Sequence, residues 1–134
     1  MNEQQILMSE TDIHAFGVEI VFKQLEQGGW TPQSADALAE RTHFPQIIAN
    51  KDGEVGHFVV RTAMYPDRGR IEGQDVYERL VSHAAAQGAS CYFASVSIAN
   101  SKGSTEEEMS VPVKGVPYNV AFDGLVKMEL PETP

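Results

Sequence analysis

Apolar residues recur with two different periods along this chain. From Asp12 to Gln27 (DIHAFGVEIVFKQLEQ), Ile13, Phe16 and Ile20 fall on one helical face, with Val18, Phe22 and Leu25 close by. That width of stripe predicts a heavily buried helix. Ser9 or Thr11 suits its N-cap, and Glu10 and Asp12 suit the positive end of its dipole. Gly28-Gly29 ends it by supplying left-handed geometry. Trp30-Thr31-Pro32 opens an extended piece, and DALAERTHF fits either a helical turn or an irregular connection. Phe44 to Ala49 and Val55 to Met64 read as strands. Asn50-Lys51-Asp52-Gly53 lies between them and predicts a tight hairpin turn, because Asn, Asp and Gly tolerate positive φ.

Tyr65 to Gly73 (YPDRGRIEG) reads as a loop. Gln74 to Gln87 reads as a second helix, with Val76, Leu80 and Val81 as its apolar stripe and Gly88 at its end. Cys91 to Ala99 is dense in residues that suit a buried strand. Residues 100–110 are expected to be a mobile acidic loop, the segment SVPVKGVPYNVAFDGLVKMEL to give one or two short strands, and residues 1–8 to be a flexible tail. The order α-β-β-β-α-β implies an α+β fold, a mixed central β-sheet flanked by helices. The helix from Gln74 supplies the parallel crossover between the second hairpin strand and the Cys91 strand. No repeat or linker divides the chain, so residues 1–134 read as a single domain.

Composition narrows the class. With 134 residues, 42% hydrophobic and 22% charged, the chain can hold an ordinary core without disulfides or a metal. No apolar run reaches the ~20 residues of a membrane helix, and the polar, acidic N-terminus does not resemble a signal peptide. A single cysteine, Cys91, excludes an internal disulfide and a thiolate cluster. A cytoplasmic protein without membrane association is the expectation. Ten Lys and Arg face nineteen Asp and Glu, a formal charge of −9. Such a field repels a polyanion, so nucleic acid is not the expected partner.

The element order, and the stretches Phe16 to Trp30 (FGVEIVFKQLEQGGW), Pro45-Gln46-Ile47-Ile48-Ala49 and Phe58-Val59-Val60-Arg61-Thr62, resemble the restriction-endonuclease-like superfamily, the PD-(D/E)XK nucleases, and within it the archaeal Holliday-junction resolvases. The resemblance covers about residues 13–99. It implies an inward glutamate on the first helix, matched by Glu19, and metal-binding carboxylates at the positions of Gln46 and Val59, with a lysine at Arg61. Twelve residues separate positions 46 and 59, within the range the family allows.

The chemistry does not survive that mapping. Magnesium-dependent phosphodiester cleavage needs hard oxygen ligands. Gln46 offers one neutral carbonyl oxygen and Val59 offers no side-chain ligand. Arg61 stays protonated and cannot act as a general base. Glu19 alone does not make a magnesium site, and it is expected either to pair with Arg61 across a cleft or to stand exposed. The expectation is a nuclease-like scaffold without nuclease chemistry: no catalytic residues, no metal and no cofactor.

Other chemistry-bearing residues add little. Asp36, Glu40 and Glu54 are the candidates for relocated carboxylates, although surface positions explain them. Pro66-Asp67 followed by Glu72-Gly73-Gln74 copies the family's letters at too short a spacing. His14, His43, His57 and His83 show no metal-ligand spacing. His57 is the one beside the site strand, and so the accessory candidate. Cys91 reads as a small buried residue. Ser90, Ser95 and Ser97 lack a nucleophile elbow, and no glycine-rich phosphate loop exists. Tyr65 and Tyr118 lie near loops where a recognition surface would form.

The function expected is therefore binding or regulation, with a protein partner or self-association, including a homodimer. VPVKGVPYNV is the segment that would add a strand to a partner's sheet edge, with its two prolines limiting the pairing. Two alternatives make different predictions. An active magnesium-dependent nuclease requires relocated carboxylates. A small-ligand-binding domain requires a polar pocket between the first helix and the sheet.

Overall fold

The computed structural model describes residues 6–35 and 45–130. The connection DALAERTHF, and with it Asp36, Glu40 and His43, lies outside the described residues, as do residues 1–5 of the expected tail. The first helix, α1 (Glu10–Gln27), starts on a capping box. Ser9 Oγ accepts from the Asp12 amide at 3.1 Å and Asp12 Oδ2 accepts from the Ser9 amide at 3.0 Å. It stops at Gly28, and the next residue, Gly29, has φ +92°.

The strands β1 (Thr31–Ala35), β2 (Ile47–Lys51) and β3 (Glu54–Met64) follow, then the helix α2 (Gln74–Ala86) and the strand β4 (Ser90–Asn100). The β2–β3 hairpin closes through Asp52 (φ 51°) and Gly53 (φ 84°), a turn whose two positive φ values match the twist of the strands it joins. A one-turn helix, α3 (Glu106–Met109), and an eleven-residue strand, β5 (Tyr118–Met128), complete the described elements. The sheet order is β1-β2-β3-β4-β5. Only β3 and β4 run parallel; the other neighbours are antiparallel. This is an α+β fold with a mixed sheet flanked by helices.

Both sheet faces are covered, which is why β3 and β4 read as near-continuous apolar runs. Val18, Val21 and Leu25 of α1 pack on Ile47, Phe58, Val60, Val96 and Ile98. On the other face Val59 and Cys91 meet Leu80 and Ala84 of α2, with Met128 of β5. Gly17 lets α1 approach closely: a Cβ there would stand 1.6 Å from Thr62 Oγ1. No described helix is long and apolar enough to cross a membrane.

Three segments depart from the sequence reading. The C-terminal region forms one long strand instead of short ones. The acidic run Glu106–Glu108, expected as loop, is a helical turn because Thr105 Oγ1 caps it at the Glu108 amide, 3.1 Å away. Residues 6–8, expected in a flexible tail, are hydrogen-bonded to the segment before β5. Met8 N donates to Pro112 O and Lys114 N to Ile6 O, both at 2.7 Å, and Leu7 bridges Val113.

Candidate functional site

Along β3 the side chains alternate between the two layers. Phe58 and Val60 face α1, while His57, Val59 and Arg61 start on the face that α2 covers. The β2–β3 ladder ends at the pair Ile47 and Phe58. Past that point Gln46 continues it in altered form. Its amide donates to Phe58 O at 3.0 Å, and its side-chain Oε1 accepts from the Val60 amide at 2.8 Å. A side-chain carbonyl thus takes the place of a strand carbonyl for a buried backbone donor.

Arg61 sits against this device. Its Nη1 donates to Gln46 Oε1 at 3.1 Å and to its neighbour's carbonyl, Val60 O, at 3.0 Å. Its Nε and Nη2 grip both oxygens of Glu72 at 2.7 and 2.9 Å, the planar fork-on-fork geometry that suits guanidinium and carboxylate. Arg61 is buried, and Glu72 is partly exposed. A buried cation needs such a partner, because its desolvation would otherwise cost several kcal/mol. The pair also ties the loop between β3 and α2 to the sheet. Ser95 Oγ donates to Gly69 O and Ser97 Oγ to Asp67 O, each at 2.7 Å, which pins the same loop from β4.

A cleft of about 330 Å³ opens beside the pair. Its walls include Glu10 and His14 of α1, Arg61, Thr62 and Met64 of β3, and Glu72 of the loop. It is a small recess of mixed polar and apolar lining, Ile13 and Ala63 included, between the first turns of α1 and the carboxyl end of β3. A second, mostly apolar groove of about 290 Å³ lies across the sheet, where Tyr65, Ala99, Met109 and Ala121 meet.

The four positions matched to the nuclease pattern separate. Gln46 and Arg61 are in direct contact. Val59 is fully buried in the layer beneath α2. Glu19 pairs instead with Lys23 at 3.1 Å, one helical turn on, and its side chain is 67% exposed. Of the two expectations for Glu19, exposure holds and the pair with Arg61 does not. The reason is helical phase: Gly17, Val18, Val21 and Leu25 form the buried stripe of α1, and Glu19 turns to solvent.

His57 is buried in the α2 layer with its ring centroid 5.6 Å from that of His83. Burial, and secondarily the charge of His83, holds its pKa below the usual histidine value. It lies away from the cleft. Burial pushes the Cys91 thiol up to about 11, and its Sγ rests 3.6 Å from Met128 Sδ, so it is a packing residue in a form unsuited to nucleophilic attack. Glu54 is exposed at the hairpin turn and accepts from the Tyr92 hydroxyl at 2.7 Å, which lowers its pKa. Tyr65 lines the apolar groove. Tyr118 packs edge-on against Phe16 and donates to Val113 O at 2.6 Å.

The donor set does not fit Mg²⁺. The one oxygen of Gln46 already accepts from an amide and a guanidinium, and the second ligand position, Val59, is an apolar side chain buried beneath α2. Among the described residues no group of three or more His, Cys, Asp or Glu side chains is placed to hold a metal ion. Glu72 is the site residue that sequence reasoning missed. The signal was present: an arginine inside an apolar strand demands an acid, and the loop that follows carries one.

A search of the curated proteins returns no significant match. A family model does match, over residues 11–128, which takes in every element from α1 to β5. The chain therefore belongs to the family described as a domain of unknown function, DUF8840.

Proposed function

We propose that this chain is a non-catalytic binding or regulatory protein built on a scaffold akin to the PD-(D/E)XK nucleases, acting through a protein partner or a second copy of itself. The observation that carries this reading is the state of Arg61. At the position where the nuclease pattern has its lysine, the guanidinium is buried and consumed by Glu72, Gln46 and Val60 O. A group tied down by its own chain stabilises the fold and has no charge left to polarise a phosphate. The formal charge of −9 supports the same reading by disfavouring nucleic acid. A cytoplasmic location belongs with it, supported by the free buried thiol of Cys91.

The test is cleavage of duplex DNA, a four-way DNA junction and single-stranded RNA by the purified full chain with Mg²⁺ or Mn²⁺. No cleavage above buffer is expected. Metal-dependent cleavage that Glu19→Ala or Glu72→Gln abolishes would overturn the reading and favour the relocated-carboxylate nuclease. The cleft beside Arg61 favours a second reading, a small polar ligand held by Glu10 and His14. Thermal-shift screening against amino acids, nucleotides and sugars tests it: a ligand whose stabilisation is lost in His14→Ala supports it, and a flat screen removes it.

A further inference from the structure

The sheet ends on β5, and no described element covers its outer edge. The direction of the backbone groups on that edge follows from β4. Tyr65 N donates to Ile98 O at 2.8 Å, so the backbone of Ile98 points towards β3. Its partner in β5 is Val120. That pair is not hydrogen-bonded, so the N–H and C=O of Val120 point away from the sheet. Alternation sends those of Tyr118 and Phe122 the same way. Two further contacts agree. Gly69 N reaches Val96 O at 3.3 Å on the β3 side, and Ser101 N reaches Pro117 O at 3.1 Å on the β5 side.

The outward-facing stretch has defined ends. Pro117 precedes it, with its carbonyl turned inward to Ser101 N. Beyond Phe122 the register with β4 shifts and Gly124 adopts φ +99°, which bends the strand. What remains, Tyr118-Asn119-Val120-Ala121-Phe122, carries no charge, proline or glycine in a chain of net charge −9. Val120 is 44% exposed. Asp123, just past the stretch, is already paired with Arg68. The stretch is also nearly symmetric about its middle: an aromatic at each end, a small side chain on either side, valine at the centre.

We propose that Tyr118–Phe122 is a self-association edge, on which two copies of this chain pair β5 to β5, antiparallel about Val120. This names the partner within the non-catalytic binding reading and rests on it. Val120 then faces the Val120 of the second copy, and Tyr118 faces Phe122, giving about six backbone hydrogen bonds and one ten-stranded sheet. Tyr118, Val120 and Phe122 share the α1 face, where Tyr118 and Phe122 are already anchored in the core. Aromatic and β-branched pairs across strands are favourable. The like charge of the two copies is kept from the contact because the paired stretch has none. An edge this short buries less than a standard interface, so the dimer is weak, with a dissociation constant in the micromolar range.

The experiment is sedimentation equilibrium of the full chain from low micromolar to about 200 µM. A monomer–dimer equilibrium is expected. Val120→Pro removes an N–H that β4 does not use, and Val120→Lys sets like charges against each other at the axis. Each should weaken the dimer at least ~10-fold while circular dichroism stays that of the parent. A chain that remains monomeric throughout, or a dimer indifferent to both substitutions, overturns the proposal. Such a failure leaves the non-catalytic reading intact, whereas cleavage activity in the assay above defeats that reading with the dimer unaffected.

Discussion

Replacing Gln46 by leucine tests the link between the strand edge and the buried arginine. The two side chains are similar in size, so the change removes polar atoms and leaves little void. What is lost is one oxygen with two donors on it, the Val60 amide at 2.8 Å and Arg61 Nη1 at 3.1 Å. Val60 is fully buried, so its stranded amide should cost ~1–3 kcal/mol. The bond to the charged guanidinium contributes ~1.5–3 kcal/mol, at the lower end here because Nη1 keeps Val60 O. A total of ~3 kcal/mol is a large share of the ~5–15 kcal/mol that holds a domain together, and corresponds to about 10 °C in Tm. Gln46→Glu keeps an oxygen in place and should lose less than about half as much. The assay is urea unfolding followed by the fluorescence of Trp30, the sole tryptophan, whose ring stands 4.9 Å from that of Phe58 on β3. An unchanged denaturant slope would confirm that the two variants are compared on the same footing. Equal stability of Gln46→Leu and Gln46→Glu, or a loss below ~1 kcal/mol in Gln46→Leu, would refute the account.

Three further outcomes are expected. The pKa of His57 is lowered in the folded state from an ordinary 6.5, so between pH 6.5 and its folded value the unfolded chain binds more protons. Stability should therefore fall as pH drops below about 6.5, and His57→Leu should flatten that dependence in unfolding curves taken across pH 5–8. Cys91, with its thiol pushed up to about 11, should resist an aromatic disulfide reagent at about pH 8 in the native protein and react at once in urea; fast native labelling would contradict its burial. Gly17→Ala should destabilise by ~1–3 kcal/mol despite alanine's better helix propensity, because the new methyl meets Thr62, and Thr62→Ala should restore part of the loss in a double-mutant cycle.

How much was legible in the sequence follows from how local each signal is. The hairpin was legible because Asp52 and Gly53 prescribe a turn on their own. The parallel crossover followed from the strand, helix and strand around Gln74. The long strand β5 was hidden because its bulge at Gly124 shifts the alternation midway, so that Phe122 and Leu125 share a layer at a spacing no single period gives. The turn α3 was hidden because one helical turn has no periodicity to read. At the candidate site, the contact of Gln46 with Arg61 follows from strand register, which no spacing within either strand announces. For Glu19 the exposed alternative held, set by the helical phase of Val18 and Val21, and the pair with Arg61 that the family pattern suggested did not form. The role of Glu72 escaped because its partner lies across a loop, where no spacing rule operates.

The parallel pairing of β3 with β4 has a consequence for how the chain reaches this structure. Gly56 is joined to Ser90 and Met64 to Ile98, so no bond of that ladder can form until the whole intervening stretch, α2 included, has been laid down and brought back. The β2–β3 hairpin closes over only a few residues and is free to form early. The centre of the sheet thus has distant partners along its whole length. Refolding should be governed by that loop closure, at the intermediate speeds of mixed α/β domains, and β3 emerging from a ribosome waits about thirty residues for the neighbour that completes it.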